Sequence, residues 1–146
     1  MLLRDFIFAL KQAVFGEHEV KWGVLPAFGG TQRLPKHIGR NRVKELIYSG
    51  NFMDIDKACQ LGLVIRVLDD KASCLQSAVE YLQVIEKNGP LAVARAKEVM
   101  NAGNDLSNKD GLKQEGAVFG EISRSHDKAE GTKAFVEKRK PEFKGN

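Results

Sequence analysis

At 146 residues and 16.2 kDa, with 29% charged and 42% hydrophobic residues and a mean hydropathy of −0.32, the composition fits one folded domain and neither a disordered nor a membrane chain. A net charge of +4 and a pI near 9.1 favour anionic partners only weakly. Cys59 and Cys74 stand in no CxxC or metal-ligand spacing, so a disulfide framework is excluded and reduced structural thiols are expected.

Near the start, Arg4 and Asp5 interrupt the apolar stretch Leu2 to Leu10, leaving Phe6 to Leu10 too short for a signal-peptide core or a membrane span. That points to a cytoplasmic or organelle-matrix protein. Phe6 to Ala9 and Ala13 to Phe15 are β-prone, and Val20 to Leu25 is a third apolar run closed by Pro26. Gly29-Gly30 punctuates the chain. Asn41 to Tyr48 predicts a short helix stopped by Gly50. Asp54 caps a helix through Gln60, Gly62 ends it, and Leu63 to Leu68 is a β-branched strand candidate ended by Asp69-Asp70.

From Ala72 onward the pattern is helical. Leu75, Val79, Leu82 and Ile85 recur at helical spacing before the break at Asn88-Gly89-Pro90, and Pro90 suits the first turn of the next helix. Ala92, Val93, Ala96, Val99 and Met100 share a face of that helix. Helical patterning continues through Leu112, Val118, Phe119 and Ile122, and again from Asp127 to Lys138. Three short strands followed by stacked helices lack obvious sheet partners, so the chain is expected to be part of something larger.

Charge is clustered. Gln32 to Lys44 holds five cations (Arg33, Lys36, Arg40, Arg42, Lys44) and no acid, and Lys138, Arg139, Lys140 and Lys144 form a second group. Gly29-Gly30-Thr31 is no phosphate-binding P-loop, since no lysine precedes Thr31, and no GxGxxG or GxSxG occurs. His18, His37 and His126 lie too far apart for a HExxH-like metal site. What remains is an acid beside an apolar run and ahead of a glycine turn. A carboxylate at Glu19, held against Val20, Trp22 and Val24, would be desolvated, which suits a general acid or base. The Pro26 to Gly30 loop offers backbone N–H groups that a ligand can approach closely.

Phe15 to Pro35 resembles the crotonase-superfamily signature F-G-x-P-E-V-x-x-G-x-x-P-x-x-G-G-T-Q-R-L, and most of all enoyl-CoA hydratases. Ala58 to Val64 is similar to the family's A-x-x-x-G-L-V segment. Asn88 to Lys97 resembles its helix start, and Glu130 to Gly145 its C-terminal ending. The resemblance implies an α/β fold, the C-terminal part of a crotonase-like β-β-α spiral: residues 1–70 end the spiral core and carry the Glu19 loop, and residues 71–146 form a helical trimerisation region. It also implies an enoyl-CoA hydratase, a lyase that reversibly adds water to a trans-2-enoyl-CoA thioester in fatty-acid or related acyl-CoA metabolism. No cofactor is expected, because CoA is part of the substrate.

By the same resemblance, Glu19 matches the glutamate that handles the water proton, and the Ala27 amide matches a glycine position that helps hold that water. Phe119, Phe135 and Lys138 match residues lining the CoA or acyl pocket, some reaching in from a neighbouring subunit. Plain core packing is the competing expectation for the two phenylalanines. The family's two oxyanion N–H groups and its other glutamate fall upstream of Met1, so this chain alone is expected to be inactive. The implied partners are an acyl-CoA thioester and copies of the chain, as a homotrimer or dimer of trimers, in the cytoplasm or, in a eukaryote, the mitochondrial matrix. No membrane partner is expected. An enoyl-CoA isomerase using Glu19 alone is the nearest alternative. Binding of RNA through Arg33 to Lys44, or an assembly-only remnant, is the non-enzymatic one. Departures from the family pattern are His18 in place of the usual proline, expected to loosen the backbone beside Glu19, Ala27 in place of glycine, and Arg4 and Leu10 in the preceding strand.

Overall fold

The computed structural model describes residues 5–146, so the Arg4 replacement lies outside the described residues. The fold is mixed α/β, with short strands early and helices thereafter. It divides into two compact units, the first running to Val79 and the second from Glu80 to Asn146.

In the first unit, β1 (Phe8–Leu10) pairs in parallel with β4 (Arg66–Leu68), aligning Ala9 with Val67. β2 (Phe15–Gly16) pairs antiparallel with β3 (Phe52–Met53). A parallel pair needs a long crossover. Here α1 (Gly30–Ile38), α2 (Arg40–Ser49) and α3 (Ile55–Gln60) supply it. The early strands therefore do have partners, contributed by segments after Gly50.

Two-stranded ladders this short are marginal by themselves, so packing must hold them. Leu34 and Ile38 of α1 and Val43, Leu46 and Ile47 of α2 are buried at helical spacing, and they meet Phe15, Met53, Ala58, Leu63 and Val64 in one core. Gly39 joins α1 to α2 at φ 83°, ψ 150°, a region open essentially to glycine alone. Asp54 caps α3, its Oδ1 accepting from Lys57 N at 2.8 Å.

Three expectations are corrected. Val20 to Leu25 is not a strand: Glu19–Trp22 forms a 3-10 turn, closed by Gly23 at φ 76°, whose N–H donates to Val20 O at 3.1 Å. Among the described residues no neighbouring strand exchanges ladder bonds with this run, so β-branched propensity loses to local closure. Gly29-Gly30 does not merely punctuate; it opens α1, which continues through Pro35 to Ile38. Proline forfeits one helical hydrogen bond, and the burial of Leu34 and Ile38 on that face outweighs it. The Leu63 to Leu68 strand begins only at Arg66, because the Leu63 N–H is drawn to Ala58 O at 2.9 Å.

α4 (Lys71–Ile85) spans the division between the units; at its start Asp70 Oδ1 accepts from Ser73 N at 2.9 Å. In the second unit, α5 (Pro90–Gly103) packs on α6 (Asn108–Ile122), and α7 (His126–Val136) follows. Ser107 and Ser125 cap α6 and α7, each accepting a backbone N–H at 3.1 Å. The C-terminal residues return to α7: buried Asp127 accepts from Lys144 N at 2.7 Å and Gly145 N at 2.8 Å. Glu130 grips the Arg139 guanidinium through both oxygens, at 2.6 and 2.9 Å, and also accepts from Glu142 N. Many apolar side chains of this unit face outward, among them Leu82, Met100 and Leu112.

Candidate active site

Glu19 and Ala27 line one cavity of about 500 Å³ in the first unit, together with Glu17, Phe28 and Arg33. β2 delivers Glu17 and Glu19, because its pairing with β3 fixes Phe15 in the core immediately ahead of them. The Pro26 to Gly30 loop supplies the facing wall. Pro26 is fully buried and anchors it, and Gly30 N donates back to Ala27 O at 3.1 Å.

Alanine at position 27 needs no left-handed backbone. The left-handed residues of the loop are Phe28, at φ 51°, and Gly29, at φ 80°, not Ala27. Phe28 bears the cost, of about 1–2 kcal/mol for a residue with a Cβ, while 95% exposed. The Arg33 guanidinium donates to its carbonyl oxygen from the first turns of α1.

Glu19 Oε2 is buried and accepts no hydrogen bond among the described residues; Arg33 Nε, lining the same cavity, is likewise buried without a partner. Buried polar atoms are rarely left unmatched, which sets both apart within this cavity. His18 Nδ1 is a third such atom. The imidazole lies edge-on to Trp22 at 5.4 Å and tilted against Phe52 at 5.0 Å. His18 sits at φ −109°, outside proline's range, with its ring between those two aromatic side chains.

The desolvated surroundings expected around Glu19 differ in detail. Trp22 is 72% exposed and Val24 also faces outward, so neither shields Glu19. Burial instead pushes the Glu17 carboxyl above its usual range, the Glu19 charge adds to the rise and His18 opposes it. Both Glu17 oxygens lie 2.7 Å from where a Cβ at Gly30 would sit. Glycine there makes room for this second carboxyl. Sequence reasoning missed Glu17; its only signal was an acid two residues before Glu19, directly after Gly16.

The remaining sequence candidates belong to the second unit. Phe119 on α6 and Phe135 on α7 are 71% and 85% exposed, so neither ring packs into a core of that unit. Lys138 follows α7 at φ 54°. Its neighbour Arg139 is committed to Glu130 and Glu137, which leaves the second basic group less cationic than its sequence. Among the described residues no group of acids, histidines and cysteines could hold a metal, and no helix is long and apolar enough to cross a membrane.

The profile of the enoyl-CoA hydratase/isomerase family matches residues 1–146. The chain belongs to that family. A probable mitochondrial enoyl-CoA hydratase of Dictyostelium discoideum is 39% identical over 140 residues, 96% of this chain and 50% of that protein. The 2,3-dehydroadipyl-CoA hydratase of Escherichia coli is 33% identical, over 99% of this chain and 56% of its own. Among solved structures, the enoyl-CoA hydratase of Bacillus anthracis superposes with a TM-score of 0.93 at 38% identity, covering 99% of this chain and 56% of that one. The crotonase-like fold expected from the motifs is thus the fold observed, and this family member spans about half the length of the relatives it matches.

Proposed function

We propose that this chain carries the Glu19 half of an enoyl-CoA hydratase site, acting on a trans-2-enoyl-CoA thioester. The observation that supports this most is the buried, unpartnered Glu19 Oε2 in a cavity walled by the Ala27 loop. In hydration, a water held by the Ala27 N–H gives a proton to the Glu19 carboxylate as its oxygen bonds to C3 of the enoyl group, and the Glu19 carboxyl passes that proton to C2, which regenerates the carboxylate and adds one water in all. Dehydration runs the same steps backward. A carboxylate in hydrogen-bond reach of the water is the general base this needs. Stabilisation of the thioester oxyanion, usually the greatest single source of rate enhancement in such chemistry, is assigned by the resemblance to segments outside these 146 residues. Turnover by this chain alone is therefore negligible. Phe119, Phe135 and Lys138 serve the acyl-CoA, the lysine as a point charge toward CoA phosphates. The outward-facing apolar residues of α5 to α7 assemble copies of the chain into trimers.

Crotonyl-CoA and trans-3-hexenoyl-CoA assays on the 146-residue chain, combined with amide NMR titration by 3-hydroxybutyryl-CoA, test this reading. The expected result is negligible turnover with shifts at Glu19, Ala27 and Phe28 that Glu19→Gln diminishes. Robust hydration, or shifts that bypass these residues, would overturn it, and turnover of the 3-enoyl substrate alone would favour the isomerase. Light scattering should give three times the 16.2 kDa of one chain.

A further inference from the structure

Folding breaks up the basic run of Gln32 to Lys44. Arg33 turns to the Glu19 cavity and donates to Phe28 O, while Arg42 pairs with Glu45 at 3.6 Å. The other three, Lys36 of α1 and Arg40 and Lys44 of α2, converge on a second cavity of about 630 Å³. Its lining contains no acid. Arg40 and Lys44 are one helical turn apart on the same face, an arrangement of like charges that is mutually destabilising. Neither has a side-chain hydrogen bond or ion pair among the described residues, and both are exposed. Below them the cavity is apolar: Val43 and Ile47 form a buried floor, and Leu25 and Tyr48, 71% and 74% exposed, stand at the sides. Its volume lies within the range of small-molecule sites.

We propose that this cavity binds a small, freely dissolved amphipathic anion, with a phosphate or carboxylate head against Arg40, Lys44 and Lys36 and an apolar body between Leu25 and Tyr48. The head relieves the repulsion between the cations, and the body removes the exposed apolar walls from water. None of these residues lines the Glu19 cavity, so this site stands or falls separately from the proposed activity.

The test is amide NMR titration of the full chain with octyl phosphate and octanoate, with inorganic phosphate and octanol as the half-ligands. Saturable shifts across residues 31–48 are expected, at least tenfold weaker for inorganic phosphate, and weakened further by added salt. Arg40→Gln/Lys44→Gln should weaken octyl phosphate about tenfold and Tyr48→Ala should weaken it measurably, with circular dichroism unchanged. The proposal is overturned if neither amphiphile saturates, if the charge-removing variant binds as wild type, or if the shifts fall at Glu17, Glu19 and Ala27 instead. Co-sedimentation with phosphatidylglycerol vesicles that octyl phosphate does not compete would overturn it too, by making the ligand a lipid surface. Comparison of the two amphiphiles decides which head group is preferred.

Discussion

Gly39→Ala and Gly116→Ala add the same methyl group to positions where nothing lies within 4 Å of it, so packing cannot distinguish them. Backbone conformation does. Gly39 sits at φ 83°, ψ 150°, where a residue with a Cβ pays about 1–3 kcal/mol. Restricting the unfolded chain returns about 0.4–1 kcal/mol, leaving a net loss of about 1–2 kcal/mol. Gly116 lies inside α6, where alanine should gain about 0.5–1 kcal/mol. At an m-value of about 2 kcal/mol/M, Gly39→Ala lowers the urea midpoint by about 0.5–1 M. Trp22, the single tryptophan, reports on the first unit, and far-UV circular dichroism follows the helices. Gly39→Ala should move the tryptophan transition down at constant m, and Gly116→Ala should leave it in place while raising the stability of the second unit. An unchanged or higher tryptophan midpoint for Gly39→Ala would refute the claim that this junction requires glycine, and with it the account of how α1 and α2 are set around the Glu19 cavity.

The two units should respond to pH with opposite signs. Glu17 has a folded-state pKa above its ordinary 4.5, so as pH rises through 4.5 the unfolded chain ionises first and stability falls until the folded carboxyl follows; Glu17→Gln should abolish that fall and leave the first unit more stable than wild type at neutral pH, read from the tryptophan midpoint. In the second unit Asp127 lies below its ordinary 3.8, held there chiefly by the Lys144 N–H, and Glu130 is lowered from 4.5 to about 2, chiefly by Arg139. Their contribution is complete above those ordinary values and is lost as pH falls toward the folded ones. Urea midpoints followed by circular dichroism should drop below about pH 4, and Asp127→Asn should remove the Asp127 share, so a midpoint flat to pH 3 in wild type would show that these two carboxylates do not hold the C-terminal residues against α7.

What the sequence by itself determined is what short-range physics controls. The cap at Asp54 acts within three residues, and Pro90 and the apolar spacing of α4 to α7 locate helices from their own residues; the caps at Ser107 and Ser125, equally local, show only in the structure. The motif around Glu19 likewise located the catalytic candidate, and the structure does put Glu19 and Ala27 in one cavity. Tertiary structure alone decided the rest. β1 finds β4 only after the chain has passed through three helices, so no local pattern near Phe8 could announce the pair. Val20 to Leu25 has strand composition but no neighbouring strand among the described residues, and it closed into a turn. Glu17 lines the Glu19 cavity because folding half-buries it against Gly30, a contact between positions thirteen apart in the chain. The basic run, uniform in sequence, serves separate places because a helix turns its side chains to different sides and the core admits only one of them.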